Sequence, residues 1–426
     1  MMSNQRDSEG LLSGYRALDL TDEKGLWCGK VLGDLGADVI KIERPGGDPA
    51  RNIGPFYKDT PDPDKSLFWF YNNLNKRGIT LNLETPDGRD MFKRLVKAAH
   101  FVIESHEPGY MAGLGLGYPE LEKINPAIIL TSITPFGQTG PYAHYKATDM
   151  TLMGMGGLMH VFGDPDRAPL RVSQPQAFFN GSIYGVVGSL MAHYHRQSSG
   201  EGQHVDVSCQ EALALAHWIN IEAWDLLKDN LRRVGPAMAR ARPAPLGPLL
   251  TQQVYACKNG FALGYLQGGA HAGMVISSRE LTAWANSLGY ALELKDFDWT
   301  KLDMANIPQS ELNRLQDIMQ TFLLTRTKLE LMEKGVERAI WMIPVTDAKD
   351  VMNSPQFKAR EFFVPVEHPE LSETITYAGL PMKISGFPYR PQRRAPLIGE
   401  HNEDVYIGEL GFSSEELARL KANEVI

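Results

Sequence analysis

Asp149, Asp164 and Asp166 are the last carboxylates before a stretch, Arg167 to Gly200, that contains no Asp or Glu at all. A carboxylate can attack an activated acyl group and hold it as a covalent intermediate, and a histidine with a shifted pKa can move a proton. His106, His144 and His160 can be nominated for that role without specificity, and each equally suits a surface position. Asp149 lies in a glycine-flanked segment and also suits a helix cap or a structural hydrogen bond. Inside the acid-free stretch, Pro175-Gln-Ala-Phe-Phe-Asn-Gly-Ser182 opens a long helical pattern in which Gly181, Gly185, Gly188 and Ala192 share one face. Small residues at that spacing let a neighbouring backbone come close. The mouth of the helix therefore carries Phe178 and Phe179 and no ionisable group.

The elements that must position these residues alternate. Arg16–Leu20 reads as a short apolar strand, Lys24–Leu35 as an amphipathic helix and Asp38–Ile42 as a second strand, a βαβ unit. Ile79–Leu83 and Phe101–Ile103 are further strands, separated by a helix that starts at Thr85-Pro-Asp-Gly-Arg with proline in its first turn. A short helix closes over Leu121–Ile124, Ala127–Thr131 continues the series, and Gln197–Ser208 reads as a loop and strand before a helix that begins near Gln210. Alternation of this kind predicts an α/β fold with an open parallel sheet and helices on both faces. Ligands of such sheets bind at the carboxyl ends of the strands, here the loops 21–25, 43–47, 104–109 and 132–137. Gly113-Leu-Gly115-Leu-Gly117 and Gly154-Met-Gly156-Gly157 do not join a first strand to its helix with dinucleotide spacing, so a nicotinamide oxidoreductase is poorly supported.

Composition removes other classes. A net charge of -8 over 426 residues argues against nucleic-acid and anionic-membrane partners. Three scattered cysteines lack zinc spacing, so no metal is expected and the thiols read as reduced packing residues. No run approaches the roughly 20 apolar residues of a membrane span, and the polar start lacks a signal peptide, which makes the cytoplasm the expected compartment. The Arg-, Ala-, Pro- and Gly-rich segment 226–248 reads as a surface linker, and helical patterns to about Lys334 as a smaller second domain. Ser413-Ser-Glu-Glu416 begins the last helix as a capping box.

Three stretches occur in a telling order: Leu32-Gly-Asp-Leu-Gly-Ala-Asp-Val-Ile-Lys-Ile-Glu-Arg-Pro-Gly-Gly-Asp-Pro-Ala-Arg51, Ser199-Gly-Glu-Gly-Gln-His-Val-Asp-Val-Ser208 and Ala395-Pro-Leu-Ile-Gly-Glu-His401. Together they resemble the class III CoA-transferases, the CaiB/BaiF family that includes the alpha-methylacyl-CoA racemases. The resemblance implies a Rossmann-like large domain built from residues 1–225 and 336–426, a linker and small domain over 226–335, and an interlocked dimer. It also implies coenzyme A near the strand-end loops, with Lys24, Arg44, Ser105, His106 and Thr134 as candidate contacts. CoA enters as a thioester substrate, and no covalently bound cofactor is expected.

In the family an aspartate attacks the acyl-CoA to form a mixed anhydride. CoA thiolate then converts the anhydride to an aspartyl thioester, and an acceptor acid reverses the steps. Alignment on the family's helix puts Phe178 at the nucleophile's position, and a benzyl group cannot form an anhydride. The racemase histidine falls at Thr148, one residue before Asp149. The basic residues expected on the CoA side fall at Gly113 and Glu84, which implies weakened CoA binding.

Three readings stand at this point. The first is a non-catalytic subunit of a heteromeric CoA-transferase whose homologous partner supplies the aspartate, moving CoA from a donor such as succinyl-CoA to an organic acid. An aromatic dicarboxylic acid is one candidate acceptor, and Trp27, Phe56, Phe68 and Trp69 are candidate wall residues. The second is an active transferase or isomerase using another carboxylate, Asp149 first. The third is an acyl-CoA-binding scaffold.

Overall fold

Apolar strands that run from burial on both faces need a parallel sheet, and the chain supplies six. The computed structural model describes residues 10–242, 245–269 and 271–426. The described residues divide into two compact units, one within 10–158, 171–226 and 355–426, the other within 159–170, 227–242, 245–269 and 271–354.

In the first unit, β1 (Arg16–Leu20), α1 (Leu26–Asp34), β2 (Asp38–Glu43), α2 (Leu67–Asn72), β3 (Lys76–Thr80) and α3 (Pro86–Val96) follow one another. β4 (Phe101–Glu104), α4 (Tyr110–Gly113), α5 (Tyr118–Ile124), β5 (Ile129–Thr134) and α6 (Asp149–Met155) come next. The long α7 (Ala177–Ser199), β6 (Gln203–Ser208), α8 (Cys209–Ala214) and α9 (Trp218–Leu227) complete the series. The six strands are all parallel in the order β3-β2-β1-β4-β5-β6. The order reverses between β1 and β4, which opens a crevice at their carboxyl ends.

Local signals account for the helix ends. Thr85 Oγ1 accepts from Gly88 N at 3.0 Å with Pro86 in the first turn of α3. Gly200, at φ +75°, closes α7 in the left-handed conformation. The stripe on α7 is a close-packing face. A Cβ at Gly181 would come within 2.4 Å of Cys209 Sγ, one at Gly185 within 2.6 Å of Ile133, and one at Gly188 within 2.5 Å of Val205.

Two expectations shift. The strand expected at Ile79–Leu83 begins at Lys76 and ends at Thr80, because Lys76 is fully buried and its Nζ donates to Asp19 Oδ2 at 2.7 Å and Leu26 O at 2.8 Å. Leu81 and Leu83 leave the sheet yet still enter its core. The segment expected as linker contains the end of α9 and a strand, β7 (Ala237–Arg240), paired antiparallel with β8 (Leu249–Gln252).

The second unit adds β9 (Val254–Cys257), β10 (Gly260–Gly264), α10 (Ala272–Ser287), α11 (Gln309–Leu323), α12 (Lys328–Arg338), β11 (Met342–Pro344) and α13 (Ala348–Asn353) around its own core. The chain then returns to the first unit with α14 (Pro355–Ala359), the hairpin β12 (Phe363–His368) and β13 (Glu373–Ala378), and α15 (Ser414–Ala422). Ser413 and Glu416 form the expected capping box on α15, and Leu420 is buried in the main core. Among the described residues no helix is long and apolar enough to cross a membrane, and no cluster of His, Cys, Asp or Glu suits a metal ion.

Candidate functional site

The loop after β2 is clamped before it can present anything. Glu43 receives Arg51 Nε at 2.6 Å and Nη2 at 2.8 Å, and also accepts from Asp48 N at 2.8 Å. Arg51 extends to Asp64 at 2.7 Å, to Pro396 O at 2.9 Å, and lies 3.9 Å above the Trp69 ring. Two of the three sequence motifs thus meet at one buried guanidinium. Gly46 and Gly47, at φ +89° and +96°, make the turn that a side chain would strain. The middle motif steadies the next loop, where Asp206 accepts from Gln138 N at 3.0 Å and His204 bonds Ser132 Oγ at 2.9 Å.

A cleft of about 470 Å³ opens at the carboxyl ends of β1 to β4, lined among others by Asp22, Arg44, Glu84, Ser105, His106 and Tyr110. Arg44, Ser105 and His106, three of the candidate residues, therefore line one cleft. Ser105 Oγ donates to Asp22 Oδ1 at 2.8 Å and accepts from Asp22 N at 2.9 Å. Lys24 instead folds onto Asp22 in an ion pair. Burial alone would raise the Asp22 carboxyl, but Lys24 and Ser105 bring it below the usual range. Thr134 is buried at the end of β5 and does not line the cleft.

His106 packs its ring 4.5 Å from Tyr110, and burial holds its pKa down at about 4, so it is neutral at physiological pH. Glu84 lies in the same wall, 3.4 Å from Tyr110 OH, and Gly113 faces open space. Among the described residues, Arg44 is the one cation lining the cleft, while Glu84 and Glu424 line it without ion pairs.

Glu104 sits behind this wall, its Oε2 accepting from His106 N at 2.7 Å, and burial pushes its pKa up to about 7. An unfolded glutamate titrates near about 4.3. Between those two values the folded chain keeps a proton that the unfolded chain has lost, so stability falls as pH rises through that window. Glu104→Gln is expected to flatten that slope and to be more stable than the parent above neutrality by up to about 3 kcal/mol. Urea unfolding at about pH 5 and about pH 8 measures the difference.

A second cavity in the same unit, about 980 Å³, contains Phe178. Trp27, Phe68 and Phe179 line it, joined by Tyr71 and Arg171, which the sequence did not single out. Trp69 is packed under Arg51 instead, and Phe56 does not line the cavity. Asp149 is also in its wall, but both oxygens are engaged: Oδ1 accepts from Phe178 N at 3.0 Å and Oδ2 from Gln176 N at 3.1 Å. Asp149 thus caps α7, whose own Ncap residue, Gln176, makes no side-chain cap. Thr148 caps α6 through a capping box with Thr151. Asp164 and Asp166 belong to the second unit, and His144 and His160 are exposed.

Residues 12–402 match the profile of CoA-transferase family III. The chain belongs to that family. Within it, the chain is 34% identical over 410 residues to the succinyl-CoA:(R)-benzylsuccinate CoA-transferase subunit BbsE of Thauera aromatica, covering 96% of both chains. It is 28% identical to the succinyl-CoA–L-malate CoA-transferase beta subunit of Chloroflexus aurantiacus, covering 97% of this chain and 98% of the relative. A CAIB/BAIF family protein from Brucella suis has the same fold, with a TM-score of 0.80 and 26% identity over 94% of this chain and 99% of that one. The six-stranded parallel sheet thus belongs to the fold of the family III CoA-transferases, a family whose members act on CoA thioesters.

Proposed function

We propose that this chain is the non-catalytic subunit of a heteromeric family III CoA-transferase. It supports a homologous partner that supplies the aspartate, and the pair moves CoA from a donor such as succinyl-CoA to an organic acid. An aromatic dicarboxylate is the acceptor suggested by the relative named for (R)-benzylsuccinate. The observation that carries the reading is Phe178 at the expected nucleophile position, with the nearest alternative, Asp149, occupied by two backbone N–H groups. Thr148, held in its capping box, gives no support to a racemase pair.

The chemistry requires a carboxylate oxygen to attack the thioester carbon as the C–S bond breaks and CoA leaves as thiolate. CoA thiolate must then attack the resulting anhydride, releasing the first acid. No side chain free in the Phe178 wall is suited to begin that sequence except Glu23, whose proton is held more tightly by burial and by Asp22. The CoA side is correspondingly weak, because Glu84 and Glu424 offset Arg44 where phosphates would need cations.

Exposed apolar surface supports a partner. No residue of α9 is buried, and Trp218, Ile219, Ile221, Trp224, Leu226 and Leu227 are each at least 51% exposed. On α7, Tyr184, Val187, Met191 and Tyr194 form an outward stripe at helical spacing. Patches of this kind fit the interlocked assembly implied by the family resemblance. Two of the relatives are themselves named as subunits.

Purified alone, the chain is expected to transfer no CoA from succinyl-CoA to an acid, and to co-purify with an aspartate-bearing homologue when the two are co-expressed. Full turnover by the isolated chain would refute the assignment.

A further inference from the structure

We propose that the Phe178 cavity is a non-covalent binding site for an aryl-substituted carboxylic acid, with the ring held among Trp27, Phe178 and Phe179 and the carboxylate on Arg171. The inference rests on the non-catalytic reading and adds what the vacated site would hold.

The size of the cavity, about 980 Å³, falls at the upper end of the range for small-molecule sites, about 300–1,000 Å³. Five aromatic side chains, Trp27, Phe68, Tyr71, Phe178 and Phe179, are among its lining residues. Trp27 and Phe179 meet edge to face, 4.7 Å between centroids at 61°, the arrangement aromatic groups prefer when they extend a cluster. Phe179 stays 41% exposed although it points into a concavity, as do Met150 and Leu67 at 54% and 36%. Apolar side chains in such a recess gain by covering, and a ligand ring can extend the Trp27–Phe179 cluster by a further edge-to-face or offset contact.

The polar side of the cavity selects an acid. Arg171 is its one lining cation, and among the described residues it has no ion pair or hydrogen bond. A guanidinium with an unused fork matches a carboxylate in two parallel hydrogen bonds. Ser173, Gln174 and Gln176 stand beside it in the same segment and add neutral hydrogen-bonding groups. Of the two carboxylates in the wall, Asp149 is already satisfied by the start of α7. Glu23 holds its proton more tightly than an exposed glutamate, which lowers its repulsion of an incoming anion. The replacement of a charged nucleophile by Phe178 then has a positive consequence. It converts a place for transient acyl attachment into an apolar floor against which a ring can rest.

Calorimetric titration of the full chain with phenylsuccinate, succinate and 2-phenylethanol separates the contributions of ring and acid. Phenylsuccinate is expected to bind about tenfold or more tightly than either of the others. Arg171→Gln should reduce phenylsuccinate to the affinity of the alcohol, and Phe179→Ala should reduce it to the affinity of succinate. Arg171 is exposed and, among the described residues, has no ion pair or side-chain hydrogen bond, and urea unfolding of the variant checks that its loss acts on binding. Equal affinities for phenylsuccinate and succinate, absence of phenylsuccinate binding, or an unaffected Arg171→Gln variant would each overturn the proposal. None of these outcomes involves turnover, so the subunit reading stands or falls separately on the transfer assay.

Discussion

In a reconstituted complex, replacing the partner's aligned aspartate with asparagine is expected to lower CoA transfer by about a million-fold, the scale on which a nucleophile acting as part of a unit is lost. Asp149→Asn in this chain is expected to change turnover by less than about tenfold and to act on stability instead, by about 1 kcal/mol. The contrast follows from what each carboxylate touches. Asp149 accepts from Gln176 N and Phe178 N. Asparagine keeps one acceptor oxygen and loses the other, so one N–H at the start of α7 loses its partner. Parallel measurement of kcat and of urea unfolding separates the two roles. If Asp149→Asn instead abolished transfer while leaving unfolding unchanged, Asp149 would be the nucleophile and the chain would be catalytic in its own right.

The largest effect on stability is expected at Arg51. Arg51→Ala should destabilise the first unit by about 3–5 kcal/mol, because removing one member of a buried pair leaves the other charged and unsolvated. The Glu43 side chain is fully buried and takes two of its hydrogen bonds from this guanidinium. Pro396 O loses one of its two donors, leaving Trp69 Nε1 at 3.1 Å, and the Trp69 ring loses the cation above it. Arg51→Lys keeps the charge but not the fork, and should recover only part of the loss. A lower urea midpoint with Ala below Lys below Arg would bear this out; equal midpoints would mean that the clamp is dispensable.

Much of the sheet was legible because its strands are short apolar runs separated by helix signals. β1 and β2 fall where the alternation puts them, and β1 has the expected bounds. β3 did not, because a buried lysine reads as an exposed one until its partner is known. Lys76 meets Asp19 across 57 positions of sequence. β7 and β8 were hidden for a related reason, since antiparallel pairing across an Arg- and Pro-rich segment leaves no local periodicity. At the site, Arg44, Ser105 and His106 were readable as strand-end residues, whereas Lys24 is diverted to its neighbour Asp22. The Phe178 cavity draws walls from Trp27, Tyr71, Asp149 and Arg171, distances along the chain that no window of sequence spans. The missing carboxylate, Asp149 and the aromatic residues Trp27 and Phe68 gave a signal there, whereas Tyr71 and Arg171 gave none.

The cap on α7 has a wider implication for how a reaction can be lost. Because Asp149 reaches over from α6 to hold the first N–H groups, the residue at 178 has no duty in anchoring its own helix. Reactivity and architecture are assigned to different side chains. A substitution at 178 therefore leaves the hydrogen bonds that start α7 in place, so the chemistry of that position can change without unravelling the helix that displays it.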